Sequence, residues 1–326
     1  MQHDFLAIGD TTIDAFIRLR EANVHCRIDN EECEICMRFA TKIPYEFVEV
    51  LPAVGNSANA AVCAARLGIK AGLRAYVGND QNGEDCIVSL KKDGVDTSLV
   101  VKDPHNKTNY HYVLWYEVVR SILIKHEDYP YSFPAELEEP KWIYLSSMSE
   151  GESAKTYHLE IGKYLALHPN VKLAFQPGTF QIKMGTGVLR DIYARTEIFF
   201  CNKEEAQRIL NSTSSDVKVL MKGLRDLGVK IAVVTDGRGG SSIQNGEGSW
   251  HSPMYPDPKP PLERTGAGDA AASTTVAYII LGFPPQEAML RGLINSANVV
   301  QEIGAQRGLM SKEKIEEWYK NRPADF

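Results

Sequence analysis

Residues 263–282 read ERTGAGDAAASTTVAYIILG, a long apolar helix pattern entered through Gly266, Gly268 and a carboxylate, Asp269. The first turn of a helix carries unpaired N–H donors and partial positive charge, and glycine lets backbone come close to a ligand. The entry therefore reads as an anion cradle at Gly266 and Gly268. A carboxylate beside a bound anion is repulsive unless it handles a proton or a metal. Acid–base work on a phosphate-bearing substrate is the functional expectation for Asp269, and an acidic helix cap is the plain structural alternative.

Working outward from this helix, short apolar runs alternate with helical patterns: FLAIG at 5–9, NSANAAVCAARLG, LRAYVG, GEDCIVSLKKDG, then WIYLSS, KLAFQP, EIFFCN and KIAVVTDG. Continuous apolar strands separated by amphipathic helices predict an α/β fold with a mainly parallel central sheet covered on both faces. Two segments break the rhythm. Residues 15–53 form a polar, cysteine-bearing excursion, and 108–126 read as two antiparallel strands turning near Glu117. Together they predict a small β-sheet lid over an α/β body made of 1–14, 54–107 and 127–326. The lid cations Arg18, Arg20, Arg120 and Lys125 read as solvated.

Composition narrows the class. A hydrophobic share of 44% with 24% charged residues argues for an ordered globular protein, and a net charge of −6 argues against nucleic acid or an anionic membrane as partner. No apolar run approaches the ~20 residues of a membrane span, and the first ten residues lack a signal layout. The expectation is a cytoplasmic location with reduced cysteines.

Polar punctuation gathers where predicted strands end, the ligand-collecting edge of open α/β sheets. Asp10 and Asp14 follow FLAIG; Asn202 and Glu205 follow EIFFC; Thr235, Gly237 and Gly240 follow KIAVV. Asp10 reads as structural. No G-x-x-x-x-G-K-[ST] is present and no G-x-G-x-x-G opens the first helix, so neither a P-loop nor a dinucleotide fingerprint accounts for the glycines. Each position has a bland counterpart: Glu205 as a first-turn acid, Asn59 as a satisfied buried amide, Asp14 as a turn former, TDGRGG as a turn.

GNSANAAVCAARLG at 55–68 and RTGAGDA at 264–270, with N-x-x-E at 202–205 and T-D-G-x-x-G at 235–240 between them, resemble the signatures of the PfkB/ribokinase-like carbohydrate kinases in order and spacing. The resemblance implies a ribokinase-like fold and an ATP-dependent phosphotransferase. Asp269 would be the base, and the N–H groups of Ala267, Gly268 and Asp269, entered through Gly266, would stabilise the transferring phosphoryl group. Asn202 and Glu205 would hold Mg²⁺ through water, and Thr235, Gly237 and Gly240 would line the nucleotide. Asp14, Gly55, Asn56 and Asn59 would bind substrate hydroxyls.

The implied acceptor is a free sugar, ribose- or fructose-like. A nucleoside stacked on Tyr110, Tyr112 or Trp115 and a phosphosugar are the alternatives, and a sugar-binding pseudokinase is the non-enzymatic one. A homodimer through the lid is implied as well. Glu263 stands where relatives commonly carry the Asp of a monovalent-cation site, which leaves K⁺ activation open. His25, Cys26, Cys33 and Cys36 in the lid have the donor types for Zn²⁺ at irregular spacing, with reduced thiols as the alternative.

Overall fold

The computed structural model describes residues 2–26, 33–117, 119–324 and 326; the side chains of Cys26 and Cys33 lie outside this set. The first half of the chain runs β1 (Phe5–Ile8), β2 (Thr12–Leu19), β3 (Asn23–Cys26), β4 (Cys33–Cys36), β5 (Tyr45–Val54), α1 (Asn56–Arg66), β6 (Ala71–Arg74), β7 (Tyr76–Gly78), α2 (Gln81–Lys92), β8 (Val101–Asp103), β9 (Tyr110–Tyr116) and β10 (Val119–Leu123). The second runs β11 (Trp142–Leu145), α3 (Glu152–Leu167), β12 (Lys172–Phe175), α4 (Thr179–Met184), α5 (Arg190–Arg195), β13 (Thr196–Asn202), α6 (Lys203–Leu210), α7 (Val217–Asp226) and β14 (Ile231–Thr235). It closes with β15 (Ser241–Gln244), β16 (Ser249–Ser252), α8 (Ala267–Ile280), α9 (Pro285–Val299) and α10 (Lys312–Lys320).

Eight strands form the main sheet in the order β16-β15-β14-β13-β12-β11-β1-β6. Every pairing from β6 to β14 is parallel, and only β15 and β16 run antiparallel at one edge. Strand β1, one in from the β6 edge, shows why: FLAI is closed to solvent on both faces. Phe5 and Ala7 enter a core shared with α1, α2, α8 and α9, while Leu6 and Ile8 enter a second core against α3, α5 and α7. A strand buried on both sides needs helices on both sides, and the crossover connections of parallel pairing supply them. Small side chains from Ser57 to Ala64 let α1 lie close against the sheet, all of them buried.

The second sheet has four strands in the order β10-β9-β2-β5. Three residues separate β2 from β1. β2 pairs antiparallel with β5 and parallel with β9, and β9 turns back into β10 at Glu117, whose φ is +51°. Pairing begins at Thr12 and ends at Val54, so residues 12–14 and 54 are strand-paired within this small sheet. Side chains alternate across it. One face carries Asp14, His111 and Ile122 towards the carboxyl edge of the main sheet. On the other, Val50, Ala15, Tyr112 and Leu123 lie in register across the four strands.

Candidate active site

The ends of β1, β12, β13 and β14 and the N-termini of α1 and α8 converge at one edge of the main sheet, and Asp269 sits at the meeting point. It is the third residue of α8. Gly266, at the cap position, has φ +80°, and a Cβ there would fall 2.4 Å from the Ala305 Cβ and 2.5 Å from its Cα. Only glycine allows that turn together with that close approach.

The Asp269 carboxylate is held by neutral amides. Asn56 Nδ2 and Gln176 Nε2 donate to Oδ1 at 2.8 and 3.1 Å, and Asn59 Nδ2 donates to Oδ2 at 2.7 Å. Gln176 is braced in turn by the Tyr144 hydroxyl, and Asn59 by Gln306 Nε2 at 3.0 Å. Burial drives the Asp269 pKa above the ordinary carboxylate value; the Asn59, Gln176 and Asn56 hydrogen bonds and the Arg120 charge recover only part of it. The result is a carboxylate oriented from two sides and more basic than a solvated one.

On one side of Asp269 lies a cavity of about 280 Å³. Asp14, Gly55, Asn56 and Asn59 all line it, with Asp10, His111 and His126. Asp10, read from the sequence as structural, accepts from the Tyr131 hydroxyl at 2.7 Å, and His126 Nδ1 lies 2.7 Å from its other oxygen. His111 Nδ1 lies 3.4 Å from Asp14 Oδ1. Three enclosed polar atoms at this cavity, Asp14 Oδ1, His111 Nε2 and Thr265 Oγ1, have no hydrogen-bond partner among the described residues. Among the residues described around it there is no lysine or arginine.

On the other side are two smaller cavities of about 140 and 130 Å³ that share Thr235 and Gly268. Asn202 and Glu205 line the first, and Gly237, Gly240, Arg264 and Ala267 the second. Asn202 caps α6: its Oδ1 accepts from the Glu205 N–H at 2.7 Å while Glu205 Oε2 accepts from the Asn202 N–H at 2.9 Å. The reciprocal capping box is thus real, and it leaves Glu205 Oε1 free of it. Burial raises the Glu205 pKa, and the bond from the Asn202 N–H and the Arg208 charge offset only part of it.

Other sequence readings fall elsewhere. Tyr112 is on the outward face of the small sheet, and Trp115 is packed under Phe47 and Arg18, so neither lines the large cavity as a base platform. The zinc reading of His25, Cys26, Cys33 and Cys36 rests on two side chains outside the described residues. Gln176, His111 and His126 escaped the sequence reading. Gln176 directly follows β12 and obeys the strand-end rule; the histidines come from the lid, where only tertiary pairing reveals their direction.

A buried, amide-held carboxylate between a polar cavity and a glycine-lined helix entry is the arrangement of a phosphotransferase acting on a small hydroxylated molecule. Residues 49–312 match the pfkB family carbohydrate kinase, and the chain belongs to that family. It is similar to the ATP-dependent 6-phosphofructokinase of Thermoanaerobacterium thermosaccharolyticum, 24% identical over 81% of this chain and 84% of that one. It is also similar to the cytidine kinase of Thermococcus kodakarensis, 27% identical over 77% of this chain and 88% of that one. Its fold matches Arabidopsis thaliana ribokinase complexed with ribose and ATP at a TM-score of 0.79 and 16% identity, covering 98% and 99% of the two chains. The architecture is ribokinase-like, and the three relatives take three different acceptor classes.

Removing one amide tests the electrostatics. A hydrogen bond donated to a carboxylate holds its pKa down, so Asn56→Ala is expected to raise the Asp269 pKa and move the acid limb of the kcat–pH profile to higher pH. An unmoved limb would detach that titration from Asp269.

Proposed function

We propose that this chain transfers the γ-phosphoryl group of ATP to a hydroxyl of an uncharged free sugar, ribose- or fructose-like. The observation that carries this reading is the set of enclosed atoms Asp14 Oδ1, His111 Nε2 and Thr265 Oγ1, without a hydrogen bond among the described residues, around a cavity whose described lining holds no lysine or arginine. An enclosed polar atom left unpaired costs about 1–3 kcal/mol, and a hydroxyl-rich ligand recovers that cost. A phosphorylated acceptor would instead call for a guanidinium or ammonium among the lining residues.

Asp269 takes the proton as the acceptor oxygen attacks, and the three amides keep its carboxylate aimed. The N–H groups of Ala267, Gly268 and Asp269 at the α8 N-terminus offer donors where negative charge gathers. Thr235, Gly237 and Gly240 would border the nucleotide in the smaller cavities. Glu205, through its free Oε1, would hold Mg²⁺ by way of water, with Asn202 fixing the carboxylate; the ion would offset phosphate charge. Buried Glu263 accepts from the N–H groups of Thr265 at 2.6 Å and Gly304 at 3.0 Å. No helix among the described residues is long and apolar enough to cross a membrane. The use of ATP and the reduced-thiol reading favour the cytoplasm.

A homodimer through the small sheet belongs to the same reading. Val50, Tyr112 and Leu123 are 49, 47 and 56% exposed in one row, more apolar surface than a solvated sheet face usually leaves open.

Comparing kcat/KM for ribose and fructose with fructose 6-phosphate, adenosine and cytidine tests the acceptor. A free sugar is expected to lead by at least roughly tenfold, about 1.4 kcal/mol. A tenfold lead for the phosphosugar or a nucleoside overturns the reading. Asp269→Asn is expected to fold with a far-ultraviolet spectrum like the parent's and to lose about 10²–10⁴ in turnover; turnover within threefold removes the carboxylate from the mechanism. Val50→Glu is expected to shift sedimentation from dimer to monomer at micromolar concentration without loss of fold, and an unchanged sedimentation coefficient would exclude this face.

A further inference from the structure

Of the three cavities that meet around Asp269 and Gly268, one alone has a lysine or arginine in its described lining. The acceptor cavity has none, the cavity of Asn202 and Glu205 has none, and the cavity of about 130 Å³ has Arg264. Arg264 shares that wall with Thr235, Gly237, Gly240, Ala267 and Gly268. Asp257 lines it too, yet among the described residues Arg264 makes no ion pair or hydrogen bond with Asp257 or with any other group. Lys203, which follows Asn202 in the chain, is by contrast held by Asp236 at 2.6 Å.

The backbone on both sides of Arg264 is tied down. The Leu262 N–H donates to the Val300 carbonyl at 2.8 Å, and the buried Glu263 carboxylate accepts from the N–H groups of Thr265 and Gly304. Thr265 lines the acceptor cavity while Arg264 lines the nucleotide side, so consecutive residues face the two halves of the site. Gly266 then opens α8. A helix N-terminus carries partial positive charge, so a guanidinium on the same wall is repelled, and a carboxylate would be the stabilising choice there. An unpaired cation beside a helix N-terminus costs the empty protein and suits a ligand with more than one negative charge.

We propose that Arg264 holds the β-phosphate of the nucleotide donor. The inference rests on the kinase reading above. Asp269 has to stand at the phosphorus under attack, and Asp269 is not among the residues described around the Arg264 cavity, so the phosphate beside Arg264 lies behind the reacting one. The acceptor oxygen bonds to the γ-phosphorus as the bond from that phosphorus to the β,γ-bridging oxygen breaks. The bond's electron pair stays on that oxygen and leaves with ADP, and the acceptor proton passes to Asp269. A guanidinium presents paired N–H donors to two phosphate oxygens and keeps its charge throughout. It touches the β-phosphate before and after transfer, so it strengthens donor binding more than turnover.

Arg264→Gln and Arg264→Lys test this in the full chain. With Mg²⁺ and the best of the sugars compared above, glutamine is expected to raise the KM for ATP roughly tenfold or more, with kcat within about fivefold and the sugar KM within about threefold, and lysine to recover part of the loss. Calorimetry with MgADP and AMP needs no acceptor. The parent is expected to bind MgADP at least roughly tenfold more tightly than AMP, and Arg264→Gln to lose roughly tenfold for MgADP while AMP stays within about twofold. Since the cation opposes the α8 N-terminus, the ligand-free glutamine variant is expected to melt no lower than the parent. Equal MgADP affinity in parent and variant overturns the proposal, and so does an equal loss for AMP, which would place Arg264 on the nucleoside or the α-phosphate. A lower melting temperature would give the residue to the fold instead. A parent that binds neither nucleotide sinks the kinase reading itself, whereas failure of every sugar with the MgADP result intact sinks only the acceptor reading.

Discussion

The Asp269 carboxylate is the constraint around which the site is arranged. Taking an ionised carboxylate out of water is costly, and a protein offsets that cost with a cation or with hydrogen-bond donors. Here the donors are amides, Asn56 and Asn59 of α1 and Gln176 after β12, and among the described residues no cation pairs with it. A direct ion pair would have lowered the pKa further and weakened the base. Amide donors orient the oxygens while leaving burial as the dominant influence, and basicity survives. The same bonds join α1, the β12 edge and α8, so alignment of the base and packing of three elements are one requirement.

The lid joins this arrangement through carboxylates as well. Only residues 9–11 separate β1 in the main sheet from β2 in the small one, and Asp10 lies in that link, bonded to Tyr131 and close to His126. Asp14, four residues on, faces His111 of β9. Asp10 thus ties the link to the segment after β10, and Asp14 ties β2 to β9. A substrate in the large cavity would contact both sheets.

Much of the architecture was legible because it follows from local pattern. Apolar runs such as FLAI need helices on both faces, Gly266 marks a turn that a side chain would block, and Asp14, Gly55, Asn56 and Asn59, grouped in the sequence by the family resemblance, line one cavity. What escaped depends on direction rather than residue type. His111 sits in a strand where a one-residue shift of register reverses which face it occupies, and sequence pattern alone does not determine that register. Asn202 and Glu205 show the converse. The pattern was read for metal with helix capping as the bland alternative, and the geometry contains the cap while sparing one carboxylate oxygen. Asn56 and Asn59, read as sugar ligands, line the large cavity and also turn their Nδ2 groups to Asp269.

The amide bonds to Asp269 also have a temporal meaning. Asn56 and Asn59 stand 213 and 210 residues before their partner, and α1 packs against α8. At a synthesis rate of roughly 5–20 residues per second, that interval is on the order of 10–40 s. Throughout it, the newly made α1 has an apolar flank waiting for its cover and amides with no charge to hold. Contacts of such long sequence separation form late and slow the search for the native state. A ribosome stalled before α8 therefore holds a sticky chain, and the Asp269 carboxylate arrives together with the helix that conceals the exposed flank.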